Sequence, residues 1–363
     1  MSPKKRIVIN TGGGDAPGLN AVIRAVVLSA RKLGWDVFGI KGGYEGLLDT
    51  SKVIELTEEH VRDITSLGGT ILGTSNKGHP FEYPVKQADG KIICIDRSDE
   101  VIANFKKLKM DCLVAVGGDG SLGIAKRFYD KGVPVVGVPK TIDNDLESTV
   151  ITFGFDTAVS NATDALDKLK STAESHRRVM VVELMGRYAG WIALNSGISG
   201  SADVILMPEI PFDIEKVCAK IMERHNKGIE YSIVVVAEGA KPKGGQMKTI
   251  GEKEAGREVR LGGISGLVAD EIEKRTGKET RTLVLGHLQR GGSPTTFDRL
   301  IALRFGAAAV RAIEQGKYGC MVALDPPTVK YVPLTEALSR MKVVPLDCDT
   351  VVTARSLGIC LGD

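Results

Sequence analysis

Short runs of β-branched residues, each followed by a glycine-rich turn and a helix-patterned stretch, are the feature of this sequence that most limits its possible folds. The best example is Cys112–Val116, which leads into Gly117–Ser121 and then into the helical pattern of Leu122–Tyr129. Parallel strands need a crossover of this kind, and the crossover is nearly always right-handed. The sequence therefore predicts an α/β fold in which mostly parallel sheets are flanked by helices.

The same alternation recurs along the chain, so further elements can be predicted. The near-continuous valine and isoleucine content of the later strands indicates burial on both faces. The stretch Ala240–Gly263 is rich in Lys, Gly and Glu and is predicted as a loop or insertion. Predicted strands are Arg6–Asn10, Trp35–Ile40, Val133–Val138, Val179–Glu183 and Tyr231–Ala237, and predicted helices are Asn20–Leu33 and Asp213–Lys227.

Chain length and charge limit the number of domains and the class of partner. A chain of 363 residues is long enough for two domains. The formal net charge is only +3 and no block of like charges occurs, so composition gives no support to non-specific nucleic-acid binding. No apolar run approaches the roughly 18–20 residues of a membrane helix, and the first predicted strand leaves no room for a signal peptide. We therefore expect a cytoplasmic protein without a membrane or nucleic-acid partner.

Three glycine-rich turns follow predicted strands and could hold phosphate groups. They are Gly12–Gly18, Gly42–Tyr44 and Gly117–Ser121. In an open parallel sheet such turns gather at the carboxyl ends of the strands, where helix N-termini offer backbone N–H groups. One turn alone would be compatible with a tight structural corner, whereas three together favour a nucleotide or phosphate site.

Known nucleotide motifs narrow the kind of ligand. The GxxxxGK[ST] pattern is absent from the sequence, which excludes a P-loop. Gly118, Gly120 and Gly123 match the dinucleotide pattern GxGxxG, but Asp119 lies between the first two. A carboxylate there would repel a bare pyrophosphate unless a divalent cation lay between them. This position therefore favours a metal-bound nucleotide triphosphate over NAD.

An acidic cluster follows the strand Val133–Val138. Asp143 and Asp145 are two residues apart, so in an extended segment they share a face with Thr141. The segment in isolation is compatible with a helix cap or turn. Together with Asp119 it instead indicates general-base and magnesium chemistry, as phosphoryl transfer requires.

Arginines that could bind phosphate lie downstream, although any one of them is more often a solvated surface residue. The planar, permanently charged guanidinium suits phosphate oxygens. Tyr188 and Trp191, close to one of these arginines, are predicted to pack in the core. The candidate arginines are Arg178, Arg187, Arg281 and Arg290.

Taken together, five motifs give the sequence a resemblance to the phosphofructokinase family over roughly residues 5–310. They occur in the order in which the family has them. The motifs are Gly13–Gly18, Gly117–Ser121, Pro139–Asp145, Met185–Arg187 and Gly286–Gly292.

The resemblance implies an architecture and an assembly. The fold is expected to have two Rossmann-like lobes, each a mostly parallel sheet flanked by helices, with the active site in the cleft between them. A larger nucleotide-binding lobe would comprise residues 1–155 and about 288–335, and a sugar-phosphate-binding lobe about 156–287 and 336–363. A homodimer or homotetramer is expected, in which Arg178 and Arg281 complete the neighbouring subunit's site.

The resemblance also implies roles for individual residues, with ATP and fructose 6-phosphate as substrates and Mg²⁺ as cofactor. Asp143 is the expected general base for the C1 hydroxyl, supported by Thr141 and Asp145. Asp119 is the expected metal ligand, and Gly14 and Arg187 are expected at the transferring phosphoryl group. Residues expected at the nucleotide are Gly13, Gly14, Tyr44, Asn76, Lys77, Gly118, Asp119, Gly120 and Ser121. Residues expected at the sugar phosphate are Thr141, Asp143, Asp145, Arg178, Met185, Gly186, Arg187, Glu238, Arg281, His287 and Arg290.

Two positions bear on the phosphoryl donor. Family members that use pyrophosphate commonly have Asp where Gly120 stands and Lys where Lys140 stands, whereas the best-known ATP users have Gly at both. Aspartate at position 120 would fill and negatively charge the space needed by an α-phosphate, but glycine leaves it open. Lys140 can reach a phosphate without excluding a nucleotide. The combination of Gly120 and Lys140 therefore resembles a mixed-substrate branch of the family. The space left open by Gly120 favours ATP as the phosphoryl donor.

The resulting functional prediction is an ATP-dependent 6-phosphofructokinase that makes fructose 1,6-bisphosphate. The alternative is a pyrophosphate-dependent fructose-6-phosphate 1-phosphotransferase. A distant alternative is a non-catalytic nucleotide or sugar-phosphate sensor. Such a protein would be expected to lack Asp143 or Asp119, and this sequence has both.

Overall fold

The structure is a computed structural model that describes residues 4–75, 78–250 and 260–363. The described strands are β1 (Arg6–Thr11), β2 (Asp36–Ile40), β3 (Val53–Glu55), β4 (Tyr83–Lys86), β5 (Ile92–Ile95), β6 (Cys112–Gly117), β7 (Val135–Pro139), β8 (Val179–Leu184), β9 (Val204–Leu206), β10 (Ser232–Ala237), β11 (Thr249–Ile250), β12 (Arg260–Leu261), β13 (Thr280–Val284), β14 (Cys320–Asp325) and β15 (Thr328–Pro333). The described helices are α1 (Leu19–Lys32), α2 (Ser98–Lys107), α3 (Asp119–Asp130), α4 (Phe155–His176), α5 (Trp191–Ser199), α6 (Ile214–Asn226), α7 (Ile264–Thr276), α8 (Thr296–Glu314), α9 (Leu334–Ala337) and α10 (Asp349–Ser356).

The chain forms two compact units. The first consists of the residues up to Ile142, Leu146–Asp156 and Arg290–Met341. The second consists of Asp143–Asp145, Thr157–Gln289 and Lys342–Asp363.

The first unit is built on a seven-stranded sheet with the order β15-β14-β7-β6-β1-β2-β3. The five central strands are parallel, and the outermost strands β15 and β3 run antiparallel to their neighbours. Hydrophobic residues of α1 and α8 cover one face, and those of α2 and α3 cover the other. At Gly306 of α8 the helices approach so closely that a Cβ would lie 2.7 Å from the carbonyl oxygen of Val22. Burial on both faces explains why the central strands are rich in Val and Ile.

The second unit is built on a four-stranded, fully parallel sheet with the order β13-β8-β10-β9. Strands β8, β9 and β10 are entirely buried, whereas the edge strand β13 is largely exposed. Apolar residues of α6 and α7 pack together with the strands in one hydrophobic cluster. Because all four strands run the same way, the segments that follow β8, β10 and β13 emerge at the same edge of the sheet.

The predicted α/β class is confirmed, and each predicted strand and helix lies close to its predicted position. One boundary differs in a way that matters for the site: α3 begins at Asp119 and not after Ser121. Gly118 supplies an extended backbone at the N-cap, and an aspartate in the first turn is favoured by the helix dipole. Within Ala240–Gly263, predicted as a loop, β11 and β12 pair antiparallel, and residues 251–259 lie outside the described residues.

None of the helices in the described ranges combines the length and the apolar character that a membrane span requires.

Candidate functional site

The Gly12–Gly14 turn of the first unit lies against the start of α3. It follows β1, whose end residue Thr11 pairs with Val116 at the end of β6. The N–H of Gly12 donates to the Val116 carbonyl at 2.9 Å, and a Cβ at Gly12 would lie only 2.6 Å from Ser121 Oγ. Two of the predicted phosphate turns therefore meet at neighbouring strand ends, and the close approach leaves little room for a side chain on Gly12.

Two cationic side chains lie on the Gly13–Gly14 turn. The Nζ of Lys140, whose side chain is buried, donates to the carbonyl of Gly14. A Cβ at Gly14 would lie 2.9 Å from Nη1 of Arg290, and this nitrogen donates to the carbonyl of Asp15 at 3.1 Å. The turn thus brings backbone groups together with the cationic side chains of Lys140 and Arg290. Such an environment favours the binding of a phosphate group.

The first turn of α3 carries Asp119 and Gly120, and both are exposed. A Cβ placed on Gly120 would have no heavy atom within 4 Å. The space beside Gly120 is therefore open, which is the physical condition on which the predicted preference for ATP depends.

Tyr44 is more buried than a residue that only flanks a nucleotide would be. Its side chain is 6% exposed, its ring lies 5.8 Å from the Phe128 ring, and its hydroxyl donates to the Ser121 carbonyl at 2.8 Å. Burial raises the pKa of the Tyr44 phenol, so the hydroxyl remains protonated and able to donate. Tyr44 thereby fixes the first turn of α3, and its contact with a nucleotide stays a prediction. The predicted nucleotide residues Asn76 and Lys77 lie outside the described residues.

The acidic segment belongs to the second unit, and its backbone differs from the one we expected. Asn144 has a positive φ of 50°, so residues Asp143–Asp145 do not form the extended segment from which a shared face was inferred. The premise of that inference was wrong, because Asn readily adopts the left-handed conformation in turns. Lys342 holds the segment: its N–H donates to the Asp145 carbonyl at 2.9 Å and its Nζ to Asn144 Oδ1 at 3.2 Å.

Four of the predicted sugar-phosphate residues come together where β8 and β10 end. Leu184 pairs with Ala237, the N–H of Glu238 donates to the Leu184 carbonyl at 2.8 Å, and the N–H of Gly239 donates to the Gly186 carbonyl at 3.1 Å. Strand β13, on the other side of β8, leads into the 3₁₀ turn Gly286–Arg290. The residues so gathered are Met185, Gly186, Arg187 and Glu238, and His287 is exposed on the turn that follows β13.

Arg178 and Arg281 lie elsewhere on this sheet. Arg178 precedes β8 and Arg281 is the second residue of β13, so both are near the amino ends of their strands. Both form ion pairs with Glu279, at 2.8 Å and 2.6 Å. These pairs hold the pKa of the Glu279 carboxyl below its ordinary value, the hydrogen bond from Arg178 being the main cause. The two arginines thus lie at the opposite ends of the strands from Met185, and their role in a neighbouring subunit stays a prediction.

The residues present fit a magnesium ion that is held jointly with a polyphosphate. Among the described residues no group of three His, Cys, Asp or Glu side chains could hold a metal ion alone. Mg²⁺ usually binds one or two carboxylates and completes its shell with water and substrate phosphates. An exposed Asp119 at the N-terminus of α3 meets that description.

Two polar residues at this site were not predicted from the sequence, and the predicted burial of an aromatic residue was wrong. Gln289, inside a motif that we had singled out, is fully buried and accepts from the N–H of Met185. Glu209, which lies in no motif of the sequence, accepts from the N–H of Gly190. The core assignment of Tyr188 was wrong, since this side chain is 41% exposed, and Trp191 is only partly buried.

Gly239→Ala is expected to displace the Met185–Gly190 loop. A Cβ on Gly239 would lie 1.9 Å from the carbonyl oxygen of Arg187, and backbone atoms cannot swing aside as a side chain can. We expect a loss of about 1–3 kcal/mol in the free energy of unfolding, measured by denaturant titration. Gly266→Ala is the matched control, because no atom lies within 4 Å of its Cβ position in α7. Equal stability of the two variants would contradict the close approach.

Comparisons with known proteins identify the family of this chain. The phosphofructokinase family profile matches residues 6–313. An ATP-dependent 6-phosphofructokinase of Chloroflexus aurantiacus is 52% identical over 362 residues, covering 100% of this chain and 99% of the relative. A pyrophosphate–fructose 6-phosphate 1-phosphotransferase of Amycolatopsis mediterranei is 51% identical over 346 residues, covering 94% of this chain and 97% of the relative.

Among solved structures, the phosphofructokinase of Pichia pastoris in the T-state superposes with a TM-score of 0.80 at 30% identity. The match covers 98% of this chain but only 37% of the Pichia chain. The family profile spans most of the sequence, and relatives at about half identity cover its full length. The chain is therefore a member of the phosphofructokinase family.

Proposed function

We propose that this protein is an ATP-dependent 6-phosphofructokinase, which transfers the γ-phosphoryl group of Mg-ATP to the C1 hydroxyl of fructose 6-phosphate. The observation that supports the choice of donor is the open space beside Gly120, at the start of a helix that carries Asp119. An α-phosphate needs that space. The name of the Chloroflexus relative, which matches the whole chain, points to the same donor.

Residues of the first unit bind the polyphosphate of ATP. Backbone N–H groups of the Gly13–Gly14 turn and the Nζ of Lys140 hold the transferring phosphoryl group, and the N-terminus of α3 orients the polyphosphate. Mg²⁺, held by Asp119 and phosphate oxygens, would neutralise part of the charge that develops on them.

The sugar end rests mainly on the second unit. Asp143 accepts the proton of the C1 hydroxyl while that oxygen forms its bond to the γ-phosphorus and the bond to ADP breaks. Arg187 stabilises the charge on the equatorial oxygens of the phosphoryl group. Met185, Gly186 and Glu238 bind the sugar, and His287 with Arg290 binds its 6-phosphate.

Assembly and location complete the proposal. Arg178 and Arg281 bind the 6-phosphate in a neighbouring subunit of a homodimer or homotetramer, which explains their place at the opposite edge of the sheet. Both side chains pair with Glu279 in the isolated chain, so a phosphate would have to compete with one carboxylate. The enzyme works in the cytoplasm, where its substrates occur.

A pyrophosphate-dependent enzyme is the second candidate, and Lys140 is the observation in its favour. Its ammonium group lies on the Gly13–Gly14 turn and could bind the terminal phosphate of either donor. The related Amycolatopsis enzyme is named for pyrophosphate.

Initial rates with ATP and with pyrophosphate, both at saturating fructose 6-phosphate and Mg²⁺, separate the two candidates. We expect kcat/KM to be at least about ten-fold higher with ATP, a difference of about 1.4 kcal/mol in transition-state binding. A preference for pyrophosphate would overturn the argument from the space beside Gly120. Inactivity with both donors would overturn the proposed function itself.

A further inference from the structure

The Met185–Gly190 loop connects β8 to α5 in the second unit, and two polar side chains hold its two ends. One of them, Gln289, comes from the turn after β13, and the other, Glu209, follows β9. Between the two ends lie Gly186 and Arg187, which the proposed function places at the sugar and the phosphoryl group. We refer to Gln289 and Glu209 as the loop clamp.

Gln289 uses both ends of its amide. Its Oε1 accepts from the N–H of Met185 at 3.3 Å, and its Nε2 donates to the carbonyl of Gly286 at 3.0 Å. The side chain is fully buried, so water cannot replace either partner. The backbone groups also fix which way the amide points, because an N–H needs an acceptor and a carbonyl needs a donor. Gln289 thus joins the first residue of the loop to the turn that bears His287.

Glu209 fixes the other end. Its Oε1 accepts from the N–H of Gly190 at 3.0 Å and from the N–H of Val344 at 2.9 Å, and its Oε2 lies 3.2 Å from the same Gly190 nitrogen. Loss of hydration raises the pKa of this carboxyl, and the two backbone N–H groups partly oppose that rise. Glu209 therefore joins the last residue of the loop to the C-terminal segment.

The middle of the loop has little freedom once its ends are fixed. The Gly186 carbonyl accepts from the N–H of Gly239, and Gly186 itself has a positive φ of 137°. The carbonyl of Arg187 packs against the Cα of Gly239 with no space for a methyl group. A shift of either end would therefore move the backbone that carries Met185 and Arg187.

We propose that Gln289 and Glu209 are positioning residues that set the affinity for the sugar phosphate by fixing the Met185–Gly190 loop. This inference rests on the proposed function, because it assumes that Met185 and Gly186 contact the sugar. The competing explanation is purely structural: Gly190 is the N-cap of α5, and Glu209 could serve only to stabilise that helix. A positioning role predicts a selective change in KM for the sugar phosphate, whereas a purely structural role predicts equal changes in the KM values of both substrates.

Steady-state kinetics with Gln289→Met and Glu209→Ala test the clamp. Methionine has a volume similar to that of glutamine but forms neither hydrogen bond. We expect KM for fructose 6-phosphate to rise about ten-fold in each variant, while KM for ATP stays within about two-fold. All the hydrogen bonds that are lost lie within the second unit, whereas the predicted phosphate turns for ATP belong to the first. Glu209→Gln keeps an acceptor oxygen for both N–H groups and is expected to restore most of the affinity. Gln315→Met, at an exposed position after α8, is the control.

Other outcomes would overturn the clamp. An unchanged KM for the sugar phosphate would do so, as would equal changes in both KM values, since a general loosening of the fold would affect both substrates. A Glu209→Gln variant as impaired as Glu209→Ala would exclude the hydrogen bonds as the cause.

Amide hydrogen exchange separates failure of the clamp from failure of the proposed function. If the unaltered protein does not phosphorylate fructose 6-phosphate, the proposed function fails, and the clamp is then judged by exchange without substrate. We expect the peptide containing residues 185–190 to exchange at least about ten-fold faster in Gln289→Met and Glu209→Ala than in the unaltered protein. Unchanged exchange there would overturn the clamp whatever the activity.

Discussion

Asp143→Asn is expected to lower kcat by about 10²–10⁴-fold, the range that a positioned general base contributes. The asparagine has almost the same shape as the aspartate but cannot take the proton of the C1 hydroxyl. The substitution removes a negative charge without adding volume, so KM for fructose 6-phosphate is expected to stay within about three-fold of the original value. Steady-state kinetics at saturating ATP measure both constants.

The pH profile identifies the role of Asp143 more specifically than the rate does. The acid limb of kcat/KM reports the ionisation of the base in the free enzyme, so it should disappear in Asp143→Asn while any alkaline limb remains. Asp270→Asn is the matched control, because Asp270 is an exposed carboxylate of α7 in the same unit. A kcat within about ten-fold of the original, or an acid limb that persists, would exclude Asp143 as the base.

The parallel core and the turns that follow it could be predicted from the sequence, because both depend on local patterns. Nearly continuous apolar runs such as that within Ser232–Ala237 have no polar face to expose, so they are stable only as strands covered on both sides. The turns at Gly12–Gly14 and Gly117–Ser121 then follow from strand direction alone. The antiparallel pairs β4–β5 and β14–β15 were missed, because hydrophobic pattern alone does not distinguish segments of four to six residues such as these from short helical or loop segments.

The contacts that hold the site together could not be predicted, because their partners are distant in sequence. Gln289 and Met185 are 104 positions apart, and Glu209 and Val344 are 135 apart. Which backbone N–H a buried Gln or Glu meets is decided by how the strands pack and not by neighbouring residues. The left-handed Asn144 was missed for a different reason, since Asp-Asn-Asp is compatible with both an extended segment and a turn.

Gly120→Asp is expected to lower kcat/KM for ATP by about 10²-fold or more and to change kcat/KM for pyrophosphate much less. The aspartate would put volume and negative charge into a space that has no heavy atom within 4 Å, where an α-phosphate must fit. The negative charges of the aspartate and of the phosphate would repel each other, which adds to the steric conflict. Pyrophosphate has no third phosphate to place there, so its binding should tolerate the substitution.

Misfolding is not expected to obscure this result, because a carboxylate in the first turn of α3 interacts favourably with the helix dipole. The melting temperature should therefore be unchanged or slightly higher. Gly120→Ala separates volume from charge: a methyl group occupies part of the same space without repelling phosphate, and we expect it to reduce kcat/KM for ATP by less than about ten-fold. If Gly120→Asp used ATP as well as the original protein does, the space beside Gly120 would not be where the α-phosphate lies, and the donor would have to be decided by Lys140 or by residues of the Gly13–Gly14 turn.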